Sequence, residues 1–259
     1  MTRPGRPAAW HAARCSNPYT TDVIDWVVGD LPGGSRIADI GCGAGQCSLA
    51  MARRGHEVIG LDPARSFVEE ARRTGARAGV KARFEVGHAE RAREIIGGSC
   101  AAVVFPKSVH WTNRPMSIAE ARSLLGAQGR LVVLDSMITW SAWMRVAREI
   151  SRPYVTPSPE FAPAPDADRR TTAELLAAMV GRVRCRRLRV RRQLTISQAV
   201  GLWLAMPDCA ADTLGERVRQ FAAALRHGLR PLGASDLYTI EDVTIMWAQT
   251  DATKTRSTR

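Results

Sequence analysis

Lysine is almost absent from this sequence: it occurs only at positions 81, 107 and 254, although Lys and Arg together number 37. The basic side is therefore nearly all arginine, and against 25 acidic residues it leaves a formal net charge of +12. That balance suits a polyanionic partner such as RNA or an acidic carrier protein. A GC-rich genome accounts for it at least as well, because the arginines are spread along the chain. Continuous apolar runs of the ~20 residues that a membrane span needs are missing, so no membrane partner is expected. The opening MTRPGRPAAWHAARC carries charge and proline but no apolar stretch, unlike a secretory signal, and a cytoplasmic location is expected. Cys15, Cys42, Cys47, Cys100, Cys185 and Cys209 form no CxxC pair. Zinc or another metal is therefore not expected, and free thiols are.

What is present is a regular alternation. Apolar residues make up 45% of 259 positions, enough for one sizeable core. Residues 20–30 place Val23, Ile24, Val27 and Val28 on one helical stripe. Short apolar strands are expected at 36–40, 57–62, 82–86, 100–105 and 130–135, with helices at 45–55, 66–75 and 116–126 between them. Strands separated by helices at this spacing imply βαβ units. The fold expected is α/β, a Rossmann-like, seven-stranded, mostly parallel sheet with helices on both faces and a helical lid or insertion. Residues 1–135 would form the core with its N-terminal helix. Residues 136–250 would add lid helices and the last strands of the same domain, and 251–259 a flexible tail. Beyond 135, helices are expected near 139–152, 171–180, 197–206 and 213–228. A Pro-rich connection is expected at 153–165, and strands at 182–194, with a bulge at Arg186–Arg187, and at 236–250.

The informative stretch is Asp39-Ile40-Gly41-Cys42-Gly43-Ala44-Gly45, closing a strand and opening a helix. Glycines there let the backbone turn tightly and approach a ligand. The spacing is GxGxG, and Gln46 stands where a dinucleotide fingerprint would place its third glycine. This disfavours a nicotinamide-dependent oxidoreductase. The Asp39 carboxylate would repel a phosphate but accept hydrogen bonds from a cationic amino acid. About twenty residues on, Asp62-Pro63 ends the next strand, where a carboxylate can accept two ribose hydroxyls. Asp62 could equally cap the turn before the following helix.

Together the segment RIADIGCGAGQCSLAMARRGHEVIGLDP resembles the cofactor-binding half of class I S-adenosylmethionine-dependent methyltransferases. Within them it is similar to the small-molecule group that includes trans-aconitate and malonyl-carrier-protein methyltransferases. Asn17-Pro18-Tyr19, Gly87-His88-Ala89-Glu90, Val109-His110-Trp111 and Gly126-Ala127-Gln128-Gly129-Arg130 extend the likeness over roughly residues 17–135. It implies S-adenosyl-L-methionine as cofactor. Asp39, Gly41, Gly43 and Gly45 would hold its methionine end and Asp62 the ribose. Pro63, Ala89 and Glu90 would lie beside the adenine, Phe105 and Pro106 would floor the site near the sulfonium, and Tyr19 would close over it. Two positions depart from the pattern: His88 where many relatives carry Asp, and Ala127-Gln128 where Pro-Gly is usual.

The methyl of a sulfonium is already activated, so alignment of the acceptor is the main requirement. A base is needed only for a protonated acceptor, and His110, in the loop after the fourth strand, is the candidate catalytic residue. The Asp/Asn-Pro-Pro-aromatic motif of many amino-group methylases on nucleobases is absent; Phe105-Pro106-Lys107-Ser108 stands there. The function expected is methyl transfer to a small molecule, at oxygen in the first instance, or at nitrogen or carbon, in a secondary-metabolic role. The alternatives are an RNA or protein methylase using the basic surface and a non-catalytic cofactor binder. The Arg-rich strand at 182–192 reads as a solvated edge strand, or else as a polyanion site; nucleic acid is disfavoured because stacking aromatics are not interleaved with it. Met137, Trp140, Trp143, Met144, Trp203 and Met206 either line an apolar acceptor pocket or fill the core.

Overall fold

The structure, a computed structural model, describes residues 19–139, 141–155, 166–204, 206, 209 and 214–250. The expected N-terminal arm, Asn17-Pro18, Trp140, most of the Pro-rich connection and the polar tail lie outside them. Helix α1 (Thr21–Val28) buries the predicted stripe Val23, Ile24, Val27 and Val28, leaving its acids outward, as an amphipathic helix must. There follow β1 (Arg36–Ile40), α2 (Gln46–Ala52), β2 (Glu57–Asp62), α3 (Arg65–Ala78), β3 (Ala82–Val86), α4 (Ala92–Ile96), β4 (Cys100–Pro106), α5 (Arg114–Ser123) and β5 (Leu125–Thr139). The chain continues through α6 (Ala142–Ser151), α7 (Asp166–Met179), β6 (Val183–Gln193), α8 (Ile196–Leu204), α9 (Val218–Leu229) and β7 (Tyr238–Gln249). The seven strands form one sheet in the order β3-β2-β1-β4-β5-β7-β6. β1 pairs in parallel with β2 and with β4, β2 with β3, and β4 with β5. This is the Rossmann-like arrangement expected, and chain order reverses between β1 and β4, the place where such sheets open a ligand crevice.

Two departures have physical causes. β5 starts at Leu125, not at residue 130, through a register shift between Cys100 and Ala102 that lets the glycine-containing stretch 125–129 pair early. The short α4, with Ala92 and Ile96 buried, is an element that the pattern was too brief to announce. β6 runs from Val183 to Gln193 with residues 184–187 all exposed. As the last strand of the sheet it is the solvated edge strand of the sequence reading.

The chain divides into two compact units. The larger, residues 19–136, 166–188 and 243–250 among those described, holds a core in which Ile40, Leu61, Val103, Phe105, Leu131 and Val133 from the strands meet Ile118, Leu124 and Leu176. Burying each such side chain contributes about 1.5–3 kcal/mol. The smaller, residues 137–155 and 189–242 among those described, has its own core of Trp143, Met144, Val200, Trp203, Phe221 and Leu225. Trp143 and Trp203 meet edge to face, their ring centroids 6.0 Å apart. The Trp143 indole donates to the Tyr238 carbonyl and that of Trp203 to the Ser151 hydroxyl, each at 2.8 Å. Trp143, Met144 and Trp203 are thus core side chains rather than the walls of an open pocket.

Candidate cofactor site

The larger unit gathers the predicted residues at the carboxyl ends of β1, β2 and β4. Gly41, Gly43 and Gly45 have φ of 74°, 55° and 85°, left-handed values that side-chain-bearing residues adopt at a cost of roughly 1–2 kcal/mol. Their purposes differ. A Cβ on Gly43 would meet nothing within 4 Å, whereas one on Gly45 would come within 3.0 Å of the Ala71 Cβ and 3.1 Å of the Phe84 ring. Gly45 therefore lets α3 and β3 close on the loop, while Gly43 turns a bare backbone toward open space.

Asp62 organises the surrounding turns. Its Oδ2 accepts the Gly43 amide at 2.9 Å, its Oδ1 accepts the Ala64 amide at 2.9 Å, and its backbone carbonyl accepts the Gly87 amide at 3.1 Å. One buried residue thus ties the loops after β1, β2 and β3 together. The capping reading of Asp62 is realised at Ala64. A carboxylate offers about four lone-pair sites, so two backbone bonds leave capacity for ligand hydroxyls.

Asp39 is fully buried on β1. Its Oδ2 accepts from the Ser48 hydroxyl of α2, while its Oδ1 has no hydrogen-bond partner among the described residues. Burial, with the nearby Asp62 charge adding to it, pushes the carboxyl up to about 7 against the Ser48 hydrogen bond that pulls it down. An orphaned, desolvated carboxylate oxygen is what a cationic amino group would satisfy, so the donor set fits the amino-acid end of a sulfonium nucleoside.

The other expected residues belong to the same unit. Tyr19 is half-buried, Pro63 exposed, and Ala89 buried. Glu90 accepts the Asn113 amide at 2.7 Å, holding the entry to α5. Phe105 is wholly within the core cluster, and Pro106 is buried beside it. His110 is half-buried, its ring 5.1 Å from that of the exposed Trp111.

Two contributors escape sequence reasoning. Ser108 donates to the Ile40 carbonyl, fastening the loop after β4 to the end of β1. Lys107 has a φ of 57°, the sole positive value of a non-glycine among the described residues, a strain of roughly 1–3 kcal/mol of the kind that collects at functional sites. Neither carries a sequence signal, since serine and lysine are common in loops of any kind.

The comparisons agree with this geometry. Residues 37–129 match the family described as a methyltransferase domain. Over 121 residues the chain is 30% identical to a ubiquinone biosynthesis O-methyltransferase of Bordetella avium, spanning 47% of this chain and 50% of that protein. Over 101 residues it is 35% identical to the enzyme of the same name from Xanthomonas axonopodis, spanning 39% and 42%. The chain spans about half the length of the curated relatives it matches. Among solved structures, a SAM-dependent methyltransferase from Thiobacillus denitrificans in complex with S-adenosyl-L-homocysteine matches with a TM-score of 0.55 and 16% identity, covering 95% of this chain and 100% of that one. Its counterpart from Geobacter sulfurreducens also scores 0.55, at 15% identity, covering 95% and 99%. At these identities the likeness is one of fold. No helix among the described residues is long and apolar enough to cross a membrane. Residues 37–129 thus match a methyltransferase domain, and they are set in the fold shared with these solved S-adenosylmethionine-dependent methyltransferases.

Proposed function

We propose that this protein binds S-adenosyl-L-methionine at the Asp39–Gly45 loop and Asp62 and directs its methyl group to a small-molecule acceptor. The observation that carries the reading is the unpartnered, buried Oδ1 of Asp39 beside three left-handed glycines. When bound, the cofactor supplies an activated methyl on a positively charged sulfur. Asp39 receives the ammonium of the methionine end, and the glycine backbone lets that end approach without a Cβ in the way. Asp62 accepts the ribose hydroxyls while it holds the loop in shape. Pro63, Ala89 and Glu90 flank the adenine, Phe105 and Pro106 back the reactive end, and Tyr19 closes over it. His110 takes the acceptor's proton where the acceptor is a hydroxyl.

Oxygen is the acceptor atom favoured here, because two of the relatives that the chain resembles are named as O-methyltransferases. A cytoplasmic setting fits the five described cysteines, all free thiols. An acceptor delivered on an acidic carrier protein would suit the same basic chain. The RNA-methylase reading rests on the exposed arginines of β6 and predicts steeply salt-dependent RNA binding.

The test is calorimetry with S-adenosylmethionine and, separately, with NAD, followed by incubation with methyl-labelled cofactor and a panel of phenolic, carboxylic and amine acceptors. Binding of the first nucleotide alone, lost in Asp39→Ala, supports the reading. Unchanged binding by Asp39→Ala, or a preference for NAD, overturns it.

A further inference from the structure

Strand β6 has no aromatic residue of its own, but the fold brings two to it. The Trp26 ring of α1 and the Trp247 ring of β7 stand 6.2 Å apart between centroids, tilted by 43°. The Arg186 guanidinium of β6 lies over the Trp26 ring, its Cζ 4.8 Å from the centroid. Three elements of the larger unit, distant in sequence, thus build one stack of two indoles and a cation. The stack is open to solvent: Trp26 is 42% exposed, Arg186 is exposed and Trp247 is half-buried. α1 is already held by the buried Val23, Ile24, Val27 and Val28, so its packing does not require the half-open indole.

The surroundings are basic. Arg184 and Arg187 flank Arg186, and all three are exposed without an acidic partner among the described residues. Side chains alternate along a strand, so Arg184 shares the side of Arg186, and Arg187 takes the other. Of the acids at α1 and the turn after it, Asp25 pairs with Arg54 and Asp30 with Arg130, each at 2.6 Å. Asp22, one turn before Trp26, is the acid there without an ion pair among the described residues. β6 is the outermost strand, so no further strand of the sheet lies beyond these arginines.

We propose that this surface binds single-stranded nucleic acid, a base stacking on the Trp26–Arg186 platform while Arg184 and Arg187 take phosphates. Charge complementarity selects a polyanion. A second copy of the chain, itself at +12, would be repelled. An acidic peptide would use the arginines but has no need of the rings. A nucleobase has a π-face that stacks on indole and guanidinium alike, and single strands offer bases that are not already paired. Along the sequence, aromatics and arginines are not interleaved; the fold interleaves them in space. The surface lies at the β6 edge, three strands from β4, and goes beyond the methyl-transfer reading, which its failure would leave intact.

The test is fluorescence anisotropy with a labelled oligoadenylate, with an abasic strand of the same phosphate count and with polyglutamate as charge controls. Wild type should bind oligoadenylate at least about fivefold more tightly than the abasic strand, the advantage of one stacked base. Trp26→Leu, which keeps an apolar side chain but no ring, should remove that advantage and leave abasic binding where it was. Arg184→Ser combined with Arg187→Ser, both at exposed positions, should flatten the slope of log affinity against log salt by about 1.4, two phosphate contacts at about 0.7 each. Should Trp26→Leu fail to fold, the wild-type comparison and the arginine pair still decide. Equal affinity for the abasic strand and oligoadenylate, or polyglutamate bound as tightly as oligoadenylate, would overturn the proposal in favour of a charged edge that reads no bases. An unchanged salt slope in the arginine variant, or no measurable binding by wild type, would overturn it outright.

Discussion

The Asp62 carboxylate accepts the backbone amide of Gly43 at 2.9 Å, across nineteen residues of chain. The contact joins the two segments that the sequence marks as cofactor-binding, and it makes the second of them the support of the first. Removing the carboxylate should therefore do two kinds of harm. Asp62→Ala leaves the Gly43 and Ala64 amides without their acceptor, at about 1–3 kcal/mol for each buried donor. Chemical denaturation should show that loss, and calorimetry should show cofactor affinity falling at least tenfold. Asp62→Asn, which keeps one acceptor oxygen, should fall between the two. An Ala variant as stable as wild type would contradict the supporting role.

Asp39 should make stability pH-dependent in an unusual direction. Its carboxyl is raised from 3.8 to about 7 in the folded protein, so between these values the folded state holds a proton that the unfolded state has released. Stability contributed by the protonated form is complete below pH 4 and declines as pH rises through 7. The difference between wild type and Asp39→Asn in urea midpoint should shrink or reverse across that window, with the wild type losing ground at the alkaline end. A cationic ligand draws the ionised form, so below pH 7 its binding should release a proton. Calorimetry in two buffers of different ionisation heat would register it, and a buffer-independent heat would argue that Asp39 stays as it is.

Two glycines of one loop should respond differently to alanine. Gly43→Ala meets only the left-handed backbone penalty, about 1–2 kcal/mol, because its Cβ would point into open space. Gly45→Ala adds contacts at 3.0–3.1 Å with Ala71 and Phe84 and should lose more stability. Cofactor affinity should fall in both, and in Gly43→Ala out of proportion to its stability. Equal thermal midpoints for the two variants would refute the steric part of this account.

In the smaller unit, Trp143→Ala should cost about 3–5 kcal/mol, the usual toll for emptying a buried aromatic site, and leaves the Tyr238 carbonyl without its donor. Trp203→Phe keeps a ring but loses the hydrogen bond to Ser151, for about 1 kcal/mol. Denaturation midpoints measure both. Side chains lining an open pocket would give far smaller losses.

Local patterning made much of this protein legible. Val23, Ile24, Val27 and Val28 announced α1 because a helix repeats its buried face every three to four residues. The strands at 36–40, 57–62 and 82–86 were readable to the residue because each is a brief apolar run bounded by turns. The loop from Asp39 to Gly45 was readable because glycine is nearly alone in tolerating its backbone. Less was legible where residues far apart decide the outcome. β5 begins at Leu125 because Cys100 on β4 pairs with it there, its amide donating to the Leu124 carbonyl, which nothing in GAQG declares. Trp143 and Trp203 could have lined a pocket or filled a core, and only their contacts with each other and with Phe221's cluster resolve it.

The order of strands and helices, the glycine turn and the two carboxylates that frame it are properties of the chain itself, because propensity, periodicity and backbone freedom act over a few residues. The partners of those carboxylates were settled by the folded state alone. Ser48 reaches Asp39, the Gly43 amide reaches Asp62, and one oxygen of Asp39 finds no partner among the described residues. Hydrogen bonding and desolvation depend on what packing brings within 3 Å, and in a one-dimensional sequence those neighbours lie nine to nineteen residues away.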